Sequence, residues 1–156
     1  MAAAQSVDLR NRDLRSRFPG VINLLRFFRA ANQLYMIDRF ANAPDSRTAL
    51  EVLREMESIV LRLTPKTIEE CDTGEQKQKQ IKVKACLSGE IRKDEVELYK
   101  RLGAKVIECK DKIIFAVWCP KLPTDKELSE LKEALDNYDL KPAELAALAM
   151  ARGVKG

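Results

Sequence analysis

Residues 21–40, VINLLRFFRAANQLYMIDRF, decide the predicted fold because they predict a helix with apolar side chains on both sides. At about 100° per residue, one broad face collects Leu24, Phe27 and Phe28. Further apolar residues lie on the opposite flank, mixed with arginines, so no purely polar face remains. Such a helix needs two neighbours, one within a hairpin and one beyond it. The apolar residues of the second flank, predicted to form an interface, are Ile22, Leu25, Met36, Ile37 and Phe40.

The same stretch nearly has the length of a membrane span, but it carries the charged residues Arg26, Arg29, Asp38 and Arg39. An arginine at the centre of a bilayer costs about 2.5–3.5 kcal/mol on insertion scales. The sequence therefore predicts a buried or interfacial helix and no membrane span. Because exposed apolar surface promotes aggregation, we expect this helix to be covered by docking or by self-association into a homodimer.

Helices are also predicted on either side of this stretch. Residues 7–18 form a short helix that ends at a Pro-Gly pair, and a helix running to about residue 63 is capped by Asp45 or Ser46. The loop before that cap is short. The helices over 21–40 and 46–63 are therefore expected to pack as an antiparallel hairpin.

Residues 81–119 combine strand and helix patterns. IKVKACL, residues 81–87, has the two-residue period of a half-buried strand, and a helix is expected to begin after the N-cap Ser88 and to end at Gly103. Two β-rich runs, AKVIEC and IIFAVWC, follow with a tight turn between them and complete a βαββ unit. The apolar run from Ile113 to Trp118 predicts cover on both faces of the sheet.

Two more helices are predicted at the C-terminal side. Thr124 and Glu127 form the capping-box pair T-x-x-E, and Pro142 opens a last helix that runs to about Met150. The predicted fold class is therefore α+β, with an N-terminal α-helical hairpin packed with a small βαββ unit and two C-terminal helices.

A change in basic residues predicts where the chain divides. All ten basic residues before residue 66 are Arg, whereas 15 of the 18 from Lys66 onward are Lys. Residues 64–80 are polar and lose the helical period, as expected of a linker or exposed loop. We predict an Arg-rich helical segment over 1–65 and a Lys-rich α+β segment over 66–156, or one continuous domain.

Composition excludes several classes of function. The chain contains no histidine, and its four cysteines include no C-x-x-C pair, so neither a zinc site nor a His-dependent nucleophile is predicted. No phosphate-binding glycine motif occurs, and no catalytic residue, metal or cofactor is assigned. The cysteines are expected to be buried thiols in a reducing compartment. Without a secretory signal, the predicted location is cytoplasmic or nuclear rather than secreted.

Two basic clusters could bind RNA or an acidic protein. Guanidinium groups bind phosphate or carboxylate through paired hydrogen bonds, and lysines near a strand attract phosphates without reading sequence. The alternatives are a solvated arm with intramolecular ion pairs and edge lysines that prevent aggregation. The clusters are Arg10, Arg12, Arg15, Arg17, Arg26 and Arg29 in the first segment and Lys77, Lys79, Lys82 and Lys84 in the second.

Glu108-Cys109-Lys110, an E-x-K at a strand end, resembles the last element of the PD-(D/E)xK nuclease family. That resemblance implies a divalent metal held by two carboxylates and a lysine that orients or activates water. The second carboxylate would come from Asp72, Glu90 or Asp94.

We therefore expect a non-catalytic protein–protein interaction or adaptor protein that self-associates through its apolar helices. The alternative is a protein that binds double-stranded or structured RNA through the two basic clusters. A metal-dependent nuclease is the third possibility.

Overall fold

The computed structural model of this protein describes the backbone of residues 2–68 and 83–151, and the side chains of residues 9–65 and 85–151. Within that part of the chain, the α+β fold class predicted from sequence is confirmed. The helices are α1 (Ala2–Arg17), α2 (Pro19–Ala30), α3 (Leu34–Ala41), α4 (Ser46–Arg62), α5 (Val96–Leu102), α6 (Asp125–Asp136) and α7 (Pro142–Met150). The strands are β1 (Lys66–Ile68), β2 (Val83–Ile91), β3 (Lys105–Glu108) and β4 (Ile113–Trp118).

The single helix predicted over 21–40 was wrong, because the stretch forms α2 and α3 with a turn between them. Asn32 has a φ of 61°, a left-handed conformation that asparagine adopts more readily than most residues. The N–H of Gln33 donates to the carbonyl of Phe28 at 2.8 Å, a bond that ends a helix in this way. The chain therefore changes direction in the middle of its most apolar stretch.

Both apolar flanks of this stretch are covered by elements of the same chain. Helix α3 packs against α4, and α7 packs against both α2 and α3. The alanine-rich surface of α7 permits a close approach. The predicted interface residues are at most 3% exposed, so they contribute to the core of this chain, and self-association through them stays a prediction. These residues are Ile22, Leu25, Met36, Ile37 and Phe40.

The sheet is antiparallel with the order β1-β2-β4-β3, and β2, α5, β3 and β4 form the predicted βαββ unit. Ser88 does not cap a helix as predicted. It lies inside β2, where it pairs with Ala116 of β4, and helix α5 begins only after a 3₁₀ turn at Lys93–Glu95. Pairing along the whole length of β4 satisfies more backbone groups than one helix cap, which explains the longer strand. Gly103 ends α5 with a φ of 99°, as predicted.

The prediction of reduced cysteines was wrong. Cys86 and Cys119 form a disulfide that joins β2 to the residue after β4, with their Cα atoms 4.8 Å apart. Cys109 is also disulfide-bonded. Cys86 lies at an irregularity in the β2–β4 register, between Ala85 and Leu87. The bond holds the end of β4 against β2 at the point where regular strand pairing is interrupted.

Glu127 stabilises a helix other than its own. Thr124 caps α6 as predicted, since its side chain accepts a hydrogen bond from the N–H of Glu127 at 3.1 Å. The Glu127 carboxylate accepts hydrogen bonds from the N–H groups of Gly20 and Val21 at the start of α2. A carboxylate at a helix N-terminus is favourable because it satisfies unpaired donors and interacts with the helix dipole. Pro123 lies so close to Gly20 that a Cβ there would be 2.5 Å from its Cα.

One hydrophobic cluster contains residues from both predicted segments, for example Leu24 and Leu53 with Leu131 and Leu145. Strand β1 lies within the stretch predicted to be a linker. In the described part of the chain, no helix combines the length and the apolar character needed to cross a membrane.

Candidate functional site

A cleft of about 480 Å³ lies between α2 and the sheet. One wall is a stripe of α2 at helical spacing, from Asn23 through Arg26 to Ala30, and the other is formed by the start of β3, the end of β4 and the segment after it. This volume falls in the range of about 300–1,000 Å³ that is usual for ligand clefts. The chain runs antiparallel in β3 and β4, which places Lys105 directly opposite Ala116.

The cleft is strongly positive. Arg26, Lys105 and Lys121 line it, and none of the described lining residues is Asp or Glu. Among the described residues, no carboxylate forms an ion pair with any of these three side chains. The three cations therefore have no ion-pair partner among the described residues, and the charged side chains that line the cleft are all positive.

Arg26 is the least satisfied of these cations. Its Nη2 is buried and finds no acceptor among the described residues. Burial, followed by the nearby charges of Arg15 and Arg29, lowers the pKa of Arg26. A guanidinium remains protonated even after such a shift, so a positive charge is held where solvation is poor. An anionic ligand in the cleft would relieve this arrangement.

Sequence reasoning did not identify Lys105, Lys121 or Trp118 as site residues, although all three line the cleft. The run from Ile113 to Trp118 predicted cover on both faces, but Trp118 is 42% exposed at the end of β4 and lines the cleft. It is the only tryptophan of the chain. Pro120 follows two residues later and indicates that the strand ends at Trp118. A residue at the end of a strand does not need to be covered on both faces of the sheet.

The predicted arginine cluster is divided by the structure. Arg10 pairs with Glu144 of α7 at 3.2 Å, and this hydrogen bond raises the pKa of Arg10. Arg17 pairs with Asp13 at 3.6 Å and lies over the ring of Phe18, 4.9 Å from its centroid. These two arginines take part in intramolecular contacts, as the alternative interpretation predicted.

Arg29 has a structural role as well. Its Nη2 donates to the carbonyl of Arg101 at 2.8 Å and its Nη1 to that of Ala149 at 3.5 Å, which connects α2 with α5 and α7. Arg15 donates to the carbonyl of Asn11 in its own helix and contributes to the positive field at Arg26. Arg12 is exposed on α1. Of the predicted arginines, only Arg26 lines the cleft.

The predicted lysine cluster lies mostly outside the described residues, namely Lys77, Lys79 and Lys82, together with the side chain of Lys84. The backbone of Lys84 belongs to β2 and precedes Ala85, which is the partner of Trp118 across the β2–β4 pairing. The chain therefore enters β2 at the strand end that borders the cleft.

The E-x-K triplet does not gather carboxylates in the described part of the chain. Glu108 and Ile91 are both partners of Ile113, so β4 separates Glu108 from the neighbouring Glu90 by two strand spacings, about 9–10 Å. Asp72 lies outside the described residues. Within the described ranges, no group of three or more side chains has the composition and proximity of a metal site.

A second cleft, of about 380 Å³, lies between the α3–α4 loop and the α6–α7 turn. Tyr138 borders it, is 93% exposed and has a φ of 58°. The left-handed conformation costs a residue other than glycine about 1–2 kcal/mol. An exposed aromatic side chain held in this way is suited to contact with another molecule.

Comparison with protein-family models and with curated proteins found no match for this chain.

Proposed function

We propose that this chain is a non-catalytic RNA-binding protein and that the cleft between α2 and the sheet binds the phosphate backbone. The observation that carries the proposal is Arg26, which lines the cleft with Lys105 and Lys121 and whose buried Nη2 has no acceptor among the described residues. A phosphate group offers oxygen acceptors to a guanidinium and negative charge to the lysines. A phosphate group therefore complements the positive charge of all three side chains and offers acceptors to their donors.

The described residues provide no hydrogen-bond partner for Nη2 of Arg26. Leaving a buried donor unsatisfied costs about 1–3 kcal/mol, and more for a charged group. Arg29, one turn further along α2, donates both of its terminal nitrogens to carbonyls, although its Nε is also buried without an acceptor among the described residues. Arg26 has no described counterpart of this kind for its Nη2. The difference between the two arginines supports a ligand at Arg26.

The lysine-rich stretch extends this proposal beyond the cleft. Lys84 precedes Ala85, the residue of β2 that pairs with Trp118 of β4. The sequence before Lys84 contains Lys77, Lys79 and Lys82. Lysines close to a phosphate backbone add affinity without sequence preference. We propose that this stretch makes further phosphate contacts.

The experiment is a salt titration of binding to a labelled RNA. The three cations of the cleft alone predict a slope of log K against log salt of about −2.1 to −2.7, a loss of about 20- to 40-fold between 50 and 200 mM salt, and contacts from the lysine-rich stretch make the slope steeper. Arg26→Gln is expected to weaken binding and to reduce the slope by nearly one unit. Arg47→Gln is the charge-matched control, because Arg47 is exposed on α4 and does not line the cleft. Absence of binding at low salt, or equal effects of the two variants, contradicts the proposal.

A cytoplasmic or nuclear location, predicted from sequence, suits an RNA-binding role and stays a prediction. The disulfide between Cys86 and Cys119 weighs against a reducing compartment, since such bonds persist mainly in oxidising ones.

Protein–protein interaction is a second proposed function, favoured by the strained and exposed Tyr138 beside the smaller cleft. Self-association is its simplest form, and light scattering across protein concentration tests it. Tyr138→Gly is expected to shift the chain toward the monomer, since it removes the aromatic ring without opposing the left-handed backbone. Tyr35→Ala, which removes an exposed tyrosine of α3 without placing a glycine in the helix, is the control. A strict monomer at all concentrations contradicts self-association.

A further inference from the structure

The cleft that three cations line is also lined by an exposed aromatic residue at the end of β4. Trp118 is 42% exposed and lines the same cleft as Arg26, Lys105 and Lys121. Side chains two residues apart in a strand lie on the same face, so Trp118 shares a face with Ala116. Lys105 is the partner of Ala116 in β3 and therefore belongs to that face as well. Arg26 reaches the cleft from α2 on the other wall.

This combination matches a nucleotide better than a bare anion. An inorganic anion needs the cations but gains nothing from an exposed indole, whereas a nucleobase can stack on the ring while its phosphates contact the charged groups. Asn23, on the same stripe of α2 as Arg26, adds an amide that can donate to or accept from a base edge. The site therefore offers a surface for each part of a nucleotide.

An unpaired base is required for such stacking. In a duplex, both faces of each base are covered by its neighbours, and A-form RNA has a major groove too narrow for side chains to read. We infer that the cleft binds single-stranded RNA, with one unpaired base stacked on Trp118 and the adjoining phosphates at Arg26, Lys105 and Lys121. This inference rests on the proposed RNA-binding function, and it replaces double-stranded or structured RNA with a single strand as the preferred ligand.

Stacking on an indole depends little on the identity of the base, because every base has an aromatic face. Single strands of different sequence are therefore expected to bind with similar affinity. The conservative variant Trp118→Phe keeps an aromatic surface and is expected to retain most of the affinity. Trp118→Leu keeps an apolar side chain but removes stacking, and it is expected to weaken single-strand binding about 5- to 150-fold. Its effect on duplex binding is expected to be small.

The test compares a 12-nucleotide single-stranded RNA with a 12-base-pair RNA duplex, both labelled, at 50 mM salt and with the full chain. Anisotropy gives the affinities of the wild type, Trp118→Phe and Trp118→Leu. Tyr35→Leu serves as a control for loss of an exposed aromatic residue elsewhere, and a thermal melt shows that each variant is folded. Because Trp118 is the only tryptophan, its intrinsic fluorescence in the wild-type chain reports stacking directly.

The expected result is tighter binding of the single strand, quenching of Trp118 fluorescence by it, and a loss that is specific to Trp118→Leu. Equal affinity for strand and duplex, with Trp118→Leu binding like the wild type, overturns the inference while RNA binding itself stands. Absence of binding to both RNAs at 50 mM salt overturns the proposed function and the inference together. The two failures therefore give different results in the same experiment.

Discussion

Replacing Arg26 with methionine is expected to make the protein more stable, which is the opposite of what most substitutions in a helix of the core do. Methionine keeps the length of the apolar stem and removes the half-buried guanidinium group, whose Nη2 is buried and has no acceptor among the described residues. An unsatisfied buried donor costs about 1–3 kcal/mol, so its removal should raise the free energy of unfolding by a comparable amount. For 156 residues the entropy of unfolding is about 0.33 kcal/mol/K. The midpoint of thermal unfolding should therefore rise by about 3–9 °C.

Arg29→Met is the matched control, because Arg29 lies one turn away on α2 and also has a buried nitrogen, Nε, without a described acceptor. Its two terminal nitrogens, however, donate to the carbonyls of Arg101 and Ala149. Losing these bonds leaves two acceptors without their charged donor, and hydrogen bonds to charged groups contribute about 1.5–3 kcal/mol. Arg29→Met is therefore expected to lower the midpoint.

The assay is thermal unfolding followed by circular dichroism at one salt concentration, without RNA, and the affinity for RNA is measured in parallel. We expect the stability changes of the two variants to have opposite signs, and Arg26→Met to bind RNA more weakly than the wild type. If Arg26→Met melts below the wild type by an amount similar to Arg29→Met, then Arg26 has a structural partner, and the main support for a ligand at this position is removed.

Four further predictions follow from the packing and the charges. Phe40→Ala should lower the free energy of unfolding by about 3–5 kcal/mol, equally at low and high protein concentration, because Phe40 is buried within one chain. Tyr35→Ala, at an exposed position, should have little effect. A loss of stability that grows with protein concentration would place Phe40 at an interface between copies. Removing the disulfide between β2 and the end of β4, which spans 33 positions, with the double variant Cys86→Ala and Cys119→Ala should lower the urea-derived free energy of unfolding by up to about 3.7 kcal/mol, and an unchanged midpoint would show that the bond contributes nothing. Glu127→Gln should cost about 0.5–2 kcal/mol because α2 loses a charged cap, while Glu130→Gln on the same helix should cost less than about 0.5 kcal/mol; equal thermal midpoints of the two variants would contradict that cap. A hydrogen bond from Lys132 and then one from Ser46 lower the pKa of Asp136. Its contribution to the free energy of unfolding is therefore complete above the ordinary carboxyl pKa and is lost as pH falls through the lower pKa of the folded state. Urea midpoints from pH 6 to 3 should fall less steeply in Asp136→Asn than in the wild type, and identical slopes would contradict this.

Local signals in the sequence were sufficient for most of the helices and strands. A cap at Asp45, another at Thr124, a proline at the start of α7 and a glycine at the end of α5 each act within a few residues, so their effects can be read without knowledge of the fold. The β3–β4 hairpin was similarly predicted from two β-rich runs with a short turn between them.

The errors arose where distant parts of the chain decide the local structure. The turn at Asn32 divides a continuous apolar pattern, because α7 packs against both α2 and α3 and the chain must bend around it. Ser88 has the side chain of a helix cap, but β4 offers it a strand partner. Glu127 was predicted to reciprocate the cap at Thr124, and it caps α2 instead. In each case, a contact with a residue far away in sequence outweighs a local preference.

The candidate site could not be predicted for a related reason. Sequence reasoning identified positive charge by clusters of basic residues, whereas the cleft combines single cations from three separate places, at Arg26, Lys105 and Lys121. Most arginines of the predicted cluster are engaged inside the protein, as the pairing of Arg10 with Glu144 illustrates. The density of charge along the sequence therefore overstated the role of α1 and missed the contribution of the sheet.

Three of the features that depart from the sequence-based expectations meet at this one cleft. Trp118 is exposed where an apolar run predicted cover, Cys119 is in a disulfide where a thiol was predicted, and the half-buried Arg26 has no acceptor for its Nη2 among the described residues. Trp118 and Cys119 line the sheet wall of the cleft, and Arg26 lines the α2 wall. Stability alone would favour an apolar residue at Arg26 and a covered ring at Trp118, while the disulfide fixes the strand end that carries this ring. Local arrangements that oppose stability and converge on one place are expected at binding sites, since the fold tolerates them only where a ligand compensates. By this reasoning the cleft, rather than the basic surface of α1, is the part of the molecule where a function should be tested first.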